Sequence, residues 1–387
     1  MRKKPIQKLI KVGILFTNYG PYHIARVKAA RDIGQDLAIE VVGIELARYS
    51  SQYPWKVNLN SLNFELTTVC SGYKYEGISL HHLIFNIFKL LNKINPDILA
   101  LSGYSEIGMI TAFIWAKIYA KKTILFSESK EDDASRVFYK ELIKKFIISF
   151  YDAAIVGGNP HRRYLEKLGM GSNAIFLGYD VIQNNDFTPA IIRQLSTPIQ
   201  NPYFLTINRF IPKKNLIFLI TAYAKYLKTI DVSLAWDLVI CGDGELRSQI
   251  EQKIDELNLQ NHVHLTGFLQ QEQMLPYFAH AKCFIHASVQ EQWGLVVNEA
   301  MAAGLPVIAS KRCGCYEDLI IEGANGFGFD PENSQELTDL MLKVSSADFD
   351  LQKMGIAALE HIQKFSPEYF AQGLIKAVDY ALTHSIK

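Results

Sequence analysis

The chain has 387 residues, 49% of them hydrophobic and 20% charged, with a formal net charge of +1, which describes a globular protein with material for two cores. No run approaches the ~20 consecutive apolar residues of a membrane-spanning helix. Five scattered cysteines, an odd number, fit a reduced cytoplasmic protein rather than a disulfide framework. The charge is uneven: residues 1–187 carry 24 Lys+Arg against 17 Asp+Glu (+7), and the remainder carries 16 against 22 (−6). A basic half of this kind is suited to meeting an anionic surface.

The first stretch, "MRKKPIQKLIKVGILF", is basic and then apolar. Its apolar part is short and reads as a first buried strand, not a signal peptide. Strands are expected at 12–16, 41–46, 97–101, 123–127, 153–157 and 174–178, with helical patterns between them, notably at 80–93 and 135–150. The stretch 188–202, polar and broken by prolines, reads as a linker. The strand–helix alternation then resumes, with strands at 203–208, 237–242, 263–267, 283–287 and 306–310. A last helix is expected at 366–384, opened by Ser366 and Pro367. Strands apolar on both faces and alternating with helices imply parallel sheets covered on both sides. The expected organisation is therefore α/β: a Rossmann-like domain over 1–187, a linker over 188–202, a second Rossmann-like domain over 203–365, and a closing helix over 366–387.

In open α/β sheets ligands bind beyond the carboxyl ends of the strands. After the strand "YFLTIN" come Arg209, Lys213 and Lys214, placed just before and at a helix start. Cations there oppose the helix dipole unless an anion such as a phosphate joins them; the plain alternative is a solvated basic turn. After "DLVICG" comes the turn "DGEL", which lacks a dinucleotide-binding glycine fingerprint. The stretch "SVQEQWGLVVNEAMAAGLPVIAS" (288–310) holds Glu291 in a loop, Gly294 where the backbone enters a helix, and Glu299 inside that helix. Each carboxylate can accept from neighbouring sugar hydroxyls. The alternative is a dipole-favoured Glu291 and a solvent-facing Glu299.

"RFIPKKN", "ICGDGEL", "HVHLTGFL", "FIHASVQEQWGLVVNEAMAAGLPVIAS" and "GCYEDLIIEGANGFGFDPEN", in that order, resemble the retaining family-4 glycosyltransferases of the GT-B fold. The resemblance is strong over about 200–335 and fainter before it. It implies two Rossmann-like domains facing across a cleft, the final helix crossing back to the first domain, and a nucleotide-sugar donor on the second. Arg209 and Lys214 would hold the diphosphate, Glu299 the ribose and Glu291 the donor sugar. Gly20, Gly242 and the backbone of Trp293, Gly294 and Leu295 would complete the donor site. Arg209, Lys214 and Glu291 would carry catalysis, with no cofactor beyond the nucleotide-diphosphate sugar and no metal. "EDD" (131–133) then reads as a surface acid run, and the Cys313-x-Cys315 pair lacks further zinc ligands.

Two features depart from the family pattern. One glycine, Gly20, follows the first strand where a pair is usual. Ser127, Glu128 and Ser129 stand where many members carry a donor-contacting histidine. His23 and Glu128 are the acceptor-side candidates, with an ordinary helix-start role the alternative for His23. Helices 80–93 and 135–150 set lysines among Phe, Ile and Leu, which suits docking on an anionic membrane and a lipid-linked acceptor. The alternative is that their apolar sides are core. The expected function is glycosyl transfer to a saccharide or lipid-linked acceptor in polysaccharide or glycolipid biosynthesis. It would take place in the cytoplasm, peripherally on the inner face of the membrane, and nucleic acid is not expected as a partner. A non-catalytic nucleotide-sugar-binding subunit and a GT-B 2-epimerase are the competing readings.

Overall fold

The computed structural model describes residues 9–50, 57, 62–134 and 136–384. The chain divides into two compact units, Met1–Ile182 with Phe365–Lys387, and Gln183–Lys364. The expected domain end at 187 therefore lies five residues inside the second unit. Of the stretch read as a linker, 188–202, Ile192 alone is buried, in a short helix, and most of the rest is exposed; Phe187, just before it, is buried with its ring edge-on to Phe278. Just upstream, the Asn184 amide donates to Ile362 O at 3.0 Å.

In the first unit the strands are β1 (Ile10–Phe16), β2 (Ile39–Glu45), β3 (Leu66–Thr68), β4 (Ile98–Ser102), β5 (Lys122–Ser127), β6 (Ala153–Val156) and β7 (Ile175–Leu177). They form one parallel sheet in the order β3-β2-β1-β4-β5-β6-β7, so the strand order reverses between β1 and β4. The helices are α1 (Pro21–Gln35), α2 (Leu80–Ile94), α3 (Ile107–Ile118), α4 (Phe138–Ile148) and α5 (Asn159–Lys167). Right-handed crossovers put α1 on one face and α3 to α5 on the other. Two separate cores follow, one beneath α1 and one beneath α2, α3 and α5.

The second unit holds β8 (Tyr203–Ile207), β9 (Asp237–Cys241), β10 (Val263–Gly267), β11 (Cys283–His286), β12 (Val307–Ser310) and β13 (Gly326–Phe329), ordered β10-β9-β8-β11-β12-β13 and all parallel. Its helices are α6 (Pro189–Ile192), α7 (Leu216–Thr229), α8 (Arg247–Glu256), α9 (Gln271–His280), α10 (Leu295–Ala302), α11 (Tyr316–Leu319), α12 (Ser334–Ser345) and α13 (Leu351–Ile362). The closing helix α14 (Pro367–Thr383) joins the first unit's core through Phe370, Leu374 and Val378. A side chain at Gly373 would strike Leu177 O at 2.3 Å, so glycine permits that close approach.

Two strands escaped the sequence reading. β3 is three half-exposed residues at the sheet edge, too short for a period to show. β13, "GFGF", is fully buried, and its glycines look like loop signals. A Cβ at Gly326 would lie 2.2 Å from Val307 O, and one at Gly328 2.3 Å from the Tyr316 ring. Close backbone approach explains both glycines.

Helix α4 is inverted with respect to the usual amphipathic arrangement. Its polar side faces the protein, where Glu141 accepts from the Tyr164 hydroxyl at 2.7 Å and Lys144 reaches the same hydroxyl at 3.0 Å. Ile148 is the one residue of the helix that is fully buried. Phe138, Tyr139, Leu142, Ile143 and Phe146 are exposed, so the alternative that the apolar side of this helix is core does not hold. In α2 it holds in part: Leu83, Ile87 and Leu91 are buried while Leu80, Ile84 and Phe85 are exposed. Ser135, the first residue of the expected helix, and residues 1–8 lie outside the described residues.

Candidate functional site

The second sheet reverses its order between β8 and β11, which makes the carboxyl ends of those strands the natural ligand crevice. The loops leaving these strands carry the expected residues. Arg209 follows β8 and is exposed. Lys213 and Lys214 end a 3₁₀ turn, and Asn215 in the left-handed region starts α7. The loop 287–294 after β11 is tied down on both sides. Val289 N–H donates to Lys213 O at 2.9 Å and Lys213 Nζ to Gln292 Oε1 at 3.1 Å. On its other side, Gly314 N–H donates to Glu291 O at 3.1 Å and Cys315 N–H to Trp293 O at 3.2 Å. The Cys-x-Cys segment thus ties the loop through its backbone, and both cysteines are buried and outside any disulfide.

At the centre sits Glu291, 7% exposed. Its Oε2 is bonded by Lys214 Nζ, by His286 Nε2 at 3.2 Å and by Ser288 Oγ at 3.2 Å. Burial by itself would raise the Glu291 carboxyl. The His286 hydrogen bond and the Lys214 ammonium outweigh it and hold the carboxyl well below the ordinary range. Burial also lowers His286, against the pull of Glu291, so the ring is neutral with its proton on Nε2. His286 Nδ1 is buried without a hydrogen-bond partner in the structure. All three contacts fall on one carboxylate oxygen, and Oε1 is the oxygen left for a ligand hydroxyl.

Gly294 precedes α10 at φ +104, which favours glycine, and a Cβ there would lie 3.3 Å from His286 Nε2. In the first turn of α10, Val297 N–H donates to Gly294 O at 2.8 Å, while the amides of Leu295 and Val296 come before the helical hydrogen-bond pattern begins. Leu295 opens that turn half-buried. Trp293 is buried, its indole N–H donating to Asn298 Oδ1 at 2.9 Å. Glu299 is 2% exposed among residues 297–302, all of them buried. It therefore does not face solvent. Gly242, at φ +136, is required by packing, since a Cβ would fall 1.8 Å from Asn208 O. His286 and Ser288 were missed from sequence because a histidine ending an apolar strand reads as core. The signal was there in "FIHAS", which puts two polar residues at a strand's carboxyl end.

In the first unit, Gly20 is the N-cap of α1 with extended backbone, and its N–H donates to His23 Nδ1 at 3.1 Å. Burial and the neighbouring Arg26 push His23 down to about 3, so its ring is neutral, packed at a tilt against Phe16 and engaged as a helix-start acceptor. Arg26 and Asp180 are both buried, 3.7 Å apart, and the guanidinium lies 4.7 Å over the Tyr179 ring. Burial and the nearby Glu128 push the Asp180 carboxyl well up, against Arg26. Beyond the ends of β4 and β5 opens a cavity of about 420 Å³, lined by Ser102, Tyr104, Ser127, Glu128, Ser129 and Lys144 among others. Glu128 is exposed at it.

The acid run is more tightly paired than a solvated surface. Asp133 is buried against Arg136, Asp132 pairs with Lys130, and Glu131 with Lys167. Among the described residues no group of three or more His, Cys, Asp or Glu is placed to hold a metal ion, and no helix is long and apolar enough to cross a membrane.

Residues 187–361 match the family described as "Glycosyl transferases group 1". The chain is 30% identical over 130 residues to a 2-deoxystreptamine N-acetyl-D-glucosaminyltransferase of Niallia circulans, an alignment covering 33% of each protein. It is 24% identical over 332 residues to an uncharacterized glycosyltransferase of Methanocaldococcus jannaschii, covering 73% of this chain and 79% of that one. HepE of Anabaena, solved in complex with UDP and glucose, superposes with a TM-score of 0.73 at 18% identity, over 96% of this chain and 99% of that one. This last likeness concerns the fold. The chain therefore has the two Rossmann-like units of the GT-B fold, and its residues 187–361 match the glycosyl transferases group 1 family.

Proposed function

We propose that the protein is a retaining, metal-independent hexosyltransferase that moves a sugar from a nucleotide-diphosphate sugar to an acceptor hydroxyl. The pathway we propose is cell-surface polysaccharide or glycolipid biosynthesis, at the cytoplasmic side of a membrane. The observation that carries the reading is Glu291, fixed through one oxygen by Lys214, His286 and Ser288 at the switch point of the second sheet, with Arg209 on the adjoining loop. The UDP and glucose in the Anabaena neighbour support the choice of donor class.

In this reading Glu291 Oε1 accepts from a donor-sugar hydroxyl. Arg209, Lys214 and the first amides of α10 take the diphosphate, whose charge grows as the anomeric C–O bond breaks. The leaving phosphate oxygen accepts the proton of the acceptor hydroxyl as the new C–O bond forms on the same face. This route needs no protein nucleophile, and positioning supplies much of the rate. The hydroxyl-lined cavity beyond β4 and β5 suits a saccharide acceptor, with Glu128 accepting from one of its hydroxyls.

The test is incubation with a panel of UDP-, GDP- and ADP-sugars in EDTA, followed by NMR of the products. Donor hydrolysis or transfer with the anomeric configuration kept is expected for one nucleotide. Inversion, or a requirement for divalent metal, would remove the corresponding part of the reading. An epimerised nucleotide sugar would identify an epimerase. Binding without turnover across the panel and a set of saccharide and lipid-linked acceptors would leave a nucleotide-sugar-binding subunit.

A further inference from the structure

Helix α4 presents its apolar side outward. At ~100° per residue, Tyr139, Leu142, Ile143 and Phe146 fall within one quadrant, opposite Glu141, Lys144 and Ile148, which face the protein. Phe138 is 79% exposed and Phe146 66%, and Phe146 stacks edge-on with the exposed Phe150 just past the helix. Lys140 and Lys145 flank the stripe, one on each side. The neighbouring helix on the same face, α3, also exposes Ile114 and Ile118, and α2 exposes Ile84 and Phe85. Together α2, α3 and α4 carry six lysines (Lys89, Lys93, Lys117, Lys140, Lys144 and Lys145) and one acid. That acid, Glu141, is turned inward onto Lys144 and Tyr164.

We infer that this face, centred on α4, docks on an anionic lipid bilayer. Outward aromatic and aliphatic residues flanked by lysines are the composition of a helix lying in the headgroup region. The surplus of lysine over acid commits the occupant to a negatively charged surface. Of these lysines, Lys117 pairs with Asp152 and Lys144 with Glu141, and a second copy of the chain would bring the exposed Lys89, Lys93, Lys140 and Lys145 against the same four and would meet repulsion. Glu141 and Lys144 hold the helix through Tyr164, so α4 keeps its apolar stripe outward without a partner present.

Lys144 also lines the cavity beyond β4 and β5. The cavity and the docking stripe therefore lie on opposite sides of one helix, about 10–12 Å across. A lipid-linked acceptor with its tail in the bilayer could reach the cavity with its headgroup. This last step rests on the transferase reading; the docking itself does not.

The experiment is co-sedimentation of the full chain with phosphatidylglycerol vesicles and with phosphatidylcholine vesicles, at low and high salt, without donor or acceptor. Binding to the anionic vesicles at low salt is expected, weakened severalfold by high salt. Phe138→Ser with Phe146→Ser should lower it at least tenfold, and Lys140→Glu with Lys145→Glu should lower it severalfold on the anionic vesicles. Neither pair should change the circular dichroism, because all four side chains are exposed. Donor hydrolysis should also stay unchanged in both variants; its loss in the unmodified chain would bear on the transferase reading alone. Absence of binding by the unmodified chain, or equal binding by the phenylalanine variant, would overturn the inference. So would a dimer in light scattering that the phenylalanine variant dissolves, which would identify a second copy as the occupant.

Discussion

Each unit has a buried carboxylate beside a cation, Glu291 beside Lys214 and Asp180 beside Arg26, and the two titrate in opposite directions. Glu291 is held below the ordinary carboxylate range and Asp180 is pushed above it, although burial raises both. The difference lies in what surrounds the oxygens. Glu291 has three donors converging on Oε2, whereas Asp180 has Arg26 at 3.7 Å and a second acid, Glu128, nearby. Donors converging on a buried carboxylate keep it ionised, whereas a second acid hydrogen-bonded to it favours the protonated form even with a cation nearby. The second unit thus holds a fixed negative charge, and the first holds a carboxyl that resists ionisation.

The sharpest way to break the contrast is Lys214→Ala. It removes a charge-assisted contact to Glu291 and, in the proposed reaction, one to the diphosphate. A loss of about 10²–10³ in kcat/KM is expected, with a fall in Tm, read from steady-state kinetics and thermal unfolding. Arg209→Ala should lose about ten- to a hundredfold in turnover with Tm unchanged, because Arg209 is exposed. Turnover near that of the unmodified protein would sink the assignment of Arg209. His286→Ala should act through Glu291, raising KM for the donor severalfold more than it lowers kcat.

The smallest effect tests the titration itself. Glu291 is depressed in the fold, so its contribution to stability is present above about pH 4.5 and fades as pH falls below that value. The Tm deficit of Glu291→Gln should therefore shrink in acid. Asp180 is raised, so the unmodified protein loses stability as pH rises above 3.8. The Tm of Asp180→Asn relative to the unmodified protein should grow between pH 4 and 7. Parallel trends in the two variants would show that the carboxylates do not differ as described.

Much of the fold was legible because burial on both faces writes continuous apolar runs. The strand expected at 306–310 is found as β12, buried at every residue, and the closing helix expected at 366–384 runs from Pro367 to Thr383. β13 was not legible, because its glycines serve backbone contacts that sequence does not display. In the site, Lys214 and Glu291 could each be singled out, but their pairing across 77 residues exists only in the fold. Glu299 shows the limit of helical spacing: positions 295, 299 and 302 share a side, and nothing in that spacing says whether the side meets crevice or interior. The same ambiguity applies to α4, where Tyr164, sixteen residues past the helix, decides which side turns inward.

One consequence follows from the way Glu291 is gripped. A carboxylate held by neither oxygen can swivel to meet several arrangements of hydroxyls, and one held by both has no oxygen left to offer. One pinned through Oε2 alone offers Oε1 in a single fixed direction and has little rotational freedom left to lose on binding. It can therefore act as a stereochemical gauge, in which a sugar epimer with its hydroxyl on the other side of the ring must shift the whole ring to be read.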